Sequence, residues 1–81
     1  MLLTNLTWLI TGGSGSLGHA LTRLLLAQYH PKRVIVFSRD ELKQSEMRRQ
    51  IPDPRLDFFL GDVRDPKRVQ RAFEAGLDVV V

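Results

Sequence analysis

The chain has 81 residues, enough for one domain or part of one, and at this length only roughly 60% of the unfolded surface can be buried, so the core is small. It is 43% apolar and 26% charged with no cysteine, which excludes a disulfide scaffold and a thiolate metal centre. The net charge of +3 is spread among nine interleaved acids, so the surface reads as solvated rather than built for nucleic acid.

His19 and His30 lack ligand spacing, and no metal site is expected. No run approaches the roughly 20 apolar residues of a membrane span, and "MLLTNLTWLI" has no positive n-region. A cytoplasmic protein without a membrane partner is therefore expected.

Along the chain, strands and helices alternate. Thr7 to Thr11 is a short apolar run, read as the first strand. Leu17, Ala20, Leu21, Leu24 and Leu25 recur at helical spacing, which predicts a helix to about Tyr29, closed by Pro31. The second strand is Arg33 to Ser38, a continuous apolar run suited to burial on both faces. A second helix is predicted over Asp40 to Gln50 with a thin apolar face of Leu42, Met47 and Ile51; Pro52 and Pro54 end it. Leu56 to Leu60 is the third strand. Asp65 as cap, Pro66 at the first helical position and Gly76 past the end bracket a third helix, with Val69, Ala72 and Phe73 facing inward. Leu77 to Val81 begins a fourth strand.

Short connections in a β-α-β-α-β-α-β order predict α/β architecture. Parallel strands need such crossovers, and the economical result is the N-terminal half of a Rossmann-type doubly wound parallel sheet. Residues 1–81 thus form a partial nucleotide-binding domain, with no substrate domain.

Between the first strand and first helix runs Thr11-Gly12-Gly13-Ser14-Gly15-Ser16-Leu17-Gly18. Gly12 can take the positive φ of a tight turn. Gly15 has no Cβ, so a pyrophosphate can approach the backbone, and Gly18 lets the helix pack close to the sheet. The free N–H groups of the helix's first turn then face the phosphates. The motif is credible because it follows a strand and opens an amphipathic helix. No Lys-Ser/Thr follows the last glycine, so it is not a P-loop. The G-x-x-G-x-x-G spacing resembles the extended branch of the short-chain dehydrogenases/reductases. His19, in the first turn, is read as a partly exposed helix residue rather than a base.

In such a site the end of the second strand meets the adenosine ribose, where an acid favours NAD. Here Ser38-Arg39-Asp40 stands at that place, with Lys43 one turn on. Arg39 can fork onto phosphate oxygens and Lys43 adds charge on the same face, which predicts NADP. Ser38 and the first N–H groups of the helix add donors. Ser38-x-x-Glu41 also reads as a capping box. Asp40 pointing at the ribose would instead favour NAD. After the third strand, Asp62 can accept from the adenine amino group and the Val63 N–H can donate to the ring edge. Alternatively Asp62 only caps or turns. Arg64 and Asp65 read as a solvated turn and a helix cap.

"TGGSGSLG", "VIVFSRDELKQSEM" and "DPRLDFFLGDVRD", in this order, resemble the start of the inverting UDP-N-acetylglucosamine 4,6-dehydratases, the polysaccharide-biosynthesis branch of extended short-chain dehydrogenases. "SRDELKQSEM" is the most specific of the three. The resemblance implies that Ser14, Gly15, Ser16 and Leu17 line the pyrophosphate. It implies that Ser38, Arg39, Asp40, Glu41, Leu42 and Lys43 hold the adenosine phosphate, and that Asp62 and Val63 hold the adenine. Ser14 stands where the family often has Thr, and Leu17 where it often has Phe.

The implied reaction has no net redox change: oxidation at C4 of UDP-N-acetylglucosamine, loss of water across C5 and C6, return of hydride to C6, and inversion at C5. The product is a 4-keto-6-deoxy sugar nucleotide for surface or flagellar glycans. The family's Ala-Ala-x-Lys stretch, its catalytic residues and its sugar-binding domain are absent, so no catalytic residue is assigned. An N-terminal fragment without turnover is expected, the complete protein being a homo-oligomer. Another nucleotide-sugar epimerase or reductase, or a non-catalytic dinucleotide-binding module, would share the same loop.

Overall fold

Strands β1 (Thr7–Thr11), β2 (Arg33–Ser38), β3 (Leu56–Leu60) and β4 (Val79–Val80) form one parallel sheet in the order β3-β2-β1-β4. The computed structural model describes residues 4–12, 15–74 and 76–81. Between the strands lie α1 (Ser16–Leu24), α2 (Glu41–Gln50) and α3 (Pro66–Phe73). This is the expected half of a doubly wound sheet, with β1 and β2 at its centre.

The pleat sorts the side chains onto two faces. Trp8, Ile10, Val34, Val36 and Leu56 point to one, where Leu25, Leu26, Met47 and Ile51 cover them. Leu9, Ile35 and Phe37 point to the other, where Ala72 of α3 packs, with Val69 and Leu77 beside it.

The first helix continues past α1 as a π-helical turn, Leu25–Tyr29, and ends at His30 in the left-handed region with φ +45°. The wider turn would direct the Leu26 carbonyl at residue 31, a proline without an N–H. The Arg55 guanidinium donates to that carbonyl instead, at 3.0 Å.

Three expected faces differ from the structure. In α1 the buried residues are Gly18 and Thr22, continuing to Leu25 and Leu26, while Leu17 is 81% exposed and Leu24 also faces solvent. The inward stripe is offset by about one residue from the leucine pattern, because the closest approach to the sheet is made by small side chains. In α2, Leu42 is 69% exposed and the inward residues are Gln44 and Met47. In α3, Ala72 is buried but Phe73 is 52% exposed, beside a small apolar depression shared with Val63 and Val80.

The ends of α2 and α3 follow from their caps. Asp40 accepts from the Lys43 N–H at 3.0 Å, and Asp65 accepts from the Lys67 N–H at 3.0 Å with Pro66 in the first turn. The capping box on Ser38 is therefore corrected: Ser38 is still in β2, paired with Leu60, and the cap lies two residues later. Gly76, past α3, has φ +79°.

Candidate cofactor site

Parallel register brings the C-terminal ends of β1, β2 and β3 to one edge of the sheet, with Thr11 opposite Phe37 and Ser38 opposite Leu60. The chain leaves this edge at Gly12, Arg39 and Gly61. Gly12 turns with φ +63° and donates its N–H to the Phe37 carbonyl at 2.8 Å. Gly61 donates to the Ser38 carbonyl at 2.9 Å. A cavity of about 240 Å³ opens between these turns, lined by Gly12, Ser38, Arg39, Asp40, Lys43, Asp62 and Val63.

The start of α1 borders a second recess. Gly15 is its N-cap, no side chain among the described residues caps the helix, and the His19 N–H is bonded to the Gly15 carbonyl at 2.9 Å. The first-turn amides of Ser16, Leu17 and Gly18 precede that bond and lack an intrahelical acceptor. A Cβ built on Gly15 would meet nothing within 4 Å. Gly15, Ser16 and His19 face Lys43, Glu46 and Gln50 of α2 across this recess, so Lys43 lines both spaces. The His19 Nδ1 lies 2.9 Å from the Gly15 carbonyl oxygen, which ties the ring to its own helix. Ser14 lies outside the described residues.

The end of β2 is organised by a residue the sequence reading did not single out. Gln44 is buried in α2, and its amide donates to the Ser38 hydroxyl at 2.9 Å and to the Phe59 carbonyl at 3.2 Å. The available signal was its spacing three residues before Met47 on the inward face. Glu41 lines a separate depression with Gln44, Ser45 and Arg48 and is not among the residues lining the cavity at Gly12. Leu42 faces solvent, and Arg39 and Lys43 are exposed at the cavity mouth.

Asp62 anchors the third corner. Its carboxylate takes the Arg64 N–H at 2.9 Å, Arg64 Nε at 3.1 Å and an Arg64 terminal nitrogen at 2.8 Å. Arg39 reaches the same group at a longer 3.4 Å. The Arg64 hydrogen bonds, with a smaller contribution from the Arg39 charge, hold this carboxyl well below the usual carboxylate range, so it is ionised at neutral pH. Arg64 is solvated as expected, its side chain 76% exposed, and is also the partner of Asp62. Gly61 was also passed over: a Cβ there would lie 3.2 Å from the Phe37 ring and 3.3 Å from Arg68, a tight fit in which a larger residue would push the ring or the Arg68 stem aside by a few tenths of an ångström.

The strand order, the glycine turn after β1 and the gathered strand ends define the Rossmann-type half-sheet of the short-chain dehydrogenases/reductases. Within that class the chain belongs to the polysaccharide biosynthesis protein family, whose model matches residues 8–81. It is 50% identical over 64 residues, 79% of this chain and 19% of the relative, to a UDP-N-acetylglucosamine 4,6-dehydratase (inverting) of Campylobacter jejuni. A UDP-glucose 4-epimerase of Rickettsia akari is 44% identical over 77 residues, 91% of this chain and 22% of that protein. The chain therefore spans about a fifth of the length of the curated relatives it matches.

Among solved structures, Pen from Bacillus thuringiensis superposes with a TM-score of 0.89 at 35% identity, over 99% of this chain and 24% of that one. The Bordetella bronchiseptica enzyme WbmG, solved in complex with NAD, gives a TM-score of 0.71 at 30% identity over 89% of this chain and 22% of its own.

Proposed function

We propose that residues 1–81 are the cofactor-holding part of a C5-inverting UDP-N-acetylglucosamine 4,6-dehydratase that uses NADP. The observation that carries the cofactor assignment is the cavity in which Gly12, Arg39, Lys43 and Asp62 meet, beside the start of α1 with its glycine N-cap. The 50% identity to the Campylobacter enzyme supports the substrate, UDP-N-acetylglucosamine.

The residues present fit a dinucleotide. Gly12 bends the chain away, the empty space at Gly15 admits a diphosphate to the backbone, and three amides of α1 lack helical acceptors. Arg39 and Lys43 stand at the cavity mouth where a third phosphate would be neutralised, and Asp62 and Val63 line the same cavity for the adenine. When bound, the nicotinamide supplies the hydride acceptor and donor. These residues hold and orient; this reading assigns proton transfer to residues outside 1–81, so the chain alone turns nothing over and the complete protein works as a cytoplasmic homo-oligomer.

Calorimetric titration of the protein with NADP⁺ and NAD⁺ tests the cofactor. NADP⁺ is expected to bind more tightly, and Arg39→Ala to weaken NADP⁺ by about tenfold or more while sparing NAD⁺. Equal affinities in the unaltered protein would defeat the assignment. The 44% identity to UDP-glucose 4-epimerases favours a second reading, epimerisation at C4. Incubating the full-length protein with UDP-N-acetylglucosamine separates the two: the first yields a 4-keto-6-deoxy sugar, the second a C4 epimer that retains its 6-hydroxyl.

A further inference from the structure

We infer that Arg64 is a specificity-determining positioning residue: by occupying the Asp62 carboxylate it leaves Arg39 free to take the third phosphate of the cofactor. The inference rests on the NADP reading above and adds a residue to it.

The cavity mouth holds two cations and two acids of its own, Arg39, Lys43, Asp40 and Asp62. Asp40 is already engaged, its carboxylate accepting the Lys43 backbone N–H at the start of α2. Asp62 is then the group best placed to compete for Arg39. Its Oδ2 lies 3.4 Å from the Arg39 guanidinium, close enough to pair yet beyond the usual reach of a charge-assisted bond.

Arg64 sits between the two outcomes. It grips Asp62 at both oxygens, with Nε 3.1 Å from each and a terminal nitrogen 2.8 Å from Oδ2, the same oxygen that Arg39 approaches. The grip is local, since the two residues are separated by one position and the Arg64 N–H closes the turn onto Oδ1 at 2.9 Å. Its ordering cost is therefore low. With Arg64 in place, Asp62 is matched in charge and Arg39 stays loosely held, its side chain 68% exposed at the mouth. Without the Arg64 side chain, Oδ2 loses its shortest partner and Arg39 is the nearest replacement. A cofactor phosphate would then have to displace an acid from the cation that should receive it. NAD, which has no third phosphate, makes no such demand.

The test is the ratio of dissociation constants, NAD⁺ over NADP⁺, in the unaltered protein, in Arg64→Ala, and in Arg64→Ala combined with Asp62→Asn. The first ratio tests the cofactor reading itself: a value near one defeats that reading whatever Arg64 does. Given a ratio above one, Arg64→Ala is expected to lower it by about threefold to tenfold. Adding Asp62→Asn should restore the ratio, because a neutral amide no longer captures Arg39 and any loss at the adenine weakens both nucleotides alike. Arg64→Lys, which keeps a charge but loses the fork, should fall between. A purely structural role would weaken both nucleotides alike in Arg64→Ala and leave the ratio unmoved, and that result overturns the inference. So would a ratio that drops and is not rescued by Asp62→Asn.

Discussion

Gly12 holds a backbone shape that other residues reach only at a cost. Its φ of +63° lies in the left-handed region, and its N–H is committed to the Phe37 carbonyl, so the turn cannot relax by rotating away. A Cβ there would meet nothing within 4 Å, so the penalty for Gly12→Ala is conformational rather than a clash. It is expected to be about 1–2 kcal/mol, read as a lower urea midpoint at unchanged slope. An unchanged midpoint would mean the turn adopts another shape. This glycine was legible from spacing alone, since a tight turn after a strand needs a positive φ. Gly61 was not, because its reason lies in the Phe37 ring and the Arg68 stem, which come from elsewhere in the chain.

At the scale of the element, α2 shows how a correct helix can carry a misread start. Ser38-x-x-Glu41 has the spacing of a capping box, yet Ser38 belongs to β2 and its hydroxyl accepts from the Gln44 amide, while Asp40 caps the helix. The pattern could not reveal this, because strand pairing with Leu60 decides where the strand stops. Asp40→Ala is expected to cost about 1 kcal/mol, whereas Glu41→Ala, at an exposed position outside any box, should stay within about 0.5 kcal/mol. Thermal or urea unfolding of the two variants checks this, and the reverse ranking would restore the box. The helix's low apolar content has the same origin: its inward face is completed by an amide, Gln44, that satisfies strand-end carbonyls. No count of hydrophobic residues would place that residue inside.

For the whole molecule, the parallel doubly wound half-sheet was legible because short α-helical crossovers leave few parallel arrangements. The unequal cover of the two faces was not. One face of the sheet is covered by α1, its π-helical extension and α2, with Met47 fully buried there; on the other, α3 contributes Ala72 as its buried residue. Stability should grade accordingly. In β2, Val34 and Val36 are fully buried, Phe37 nearly so, and β1 and β3 pair with it on both sides. By contrast, β4 contributes two residues paired to β1, and Val80 is 47% exposed. Regions with few buried apolar contacts open locally, below the global unfolding free energy. Native-state hydrogen exchange should therefore find the β2 amides slowest, exchanging only through global unfolding. The amides of Val79 to Val81 should exchange at least about a hundredfold faster, a local opening cheaper by ~3 kcal/mol. Uniform protection across the four strands would show instead that the sheet opens as one unit, with β4 held as firmly as its centre.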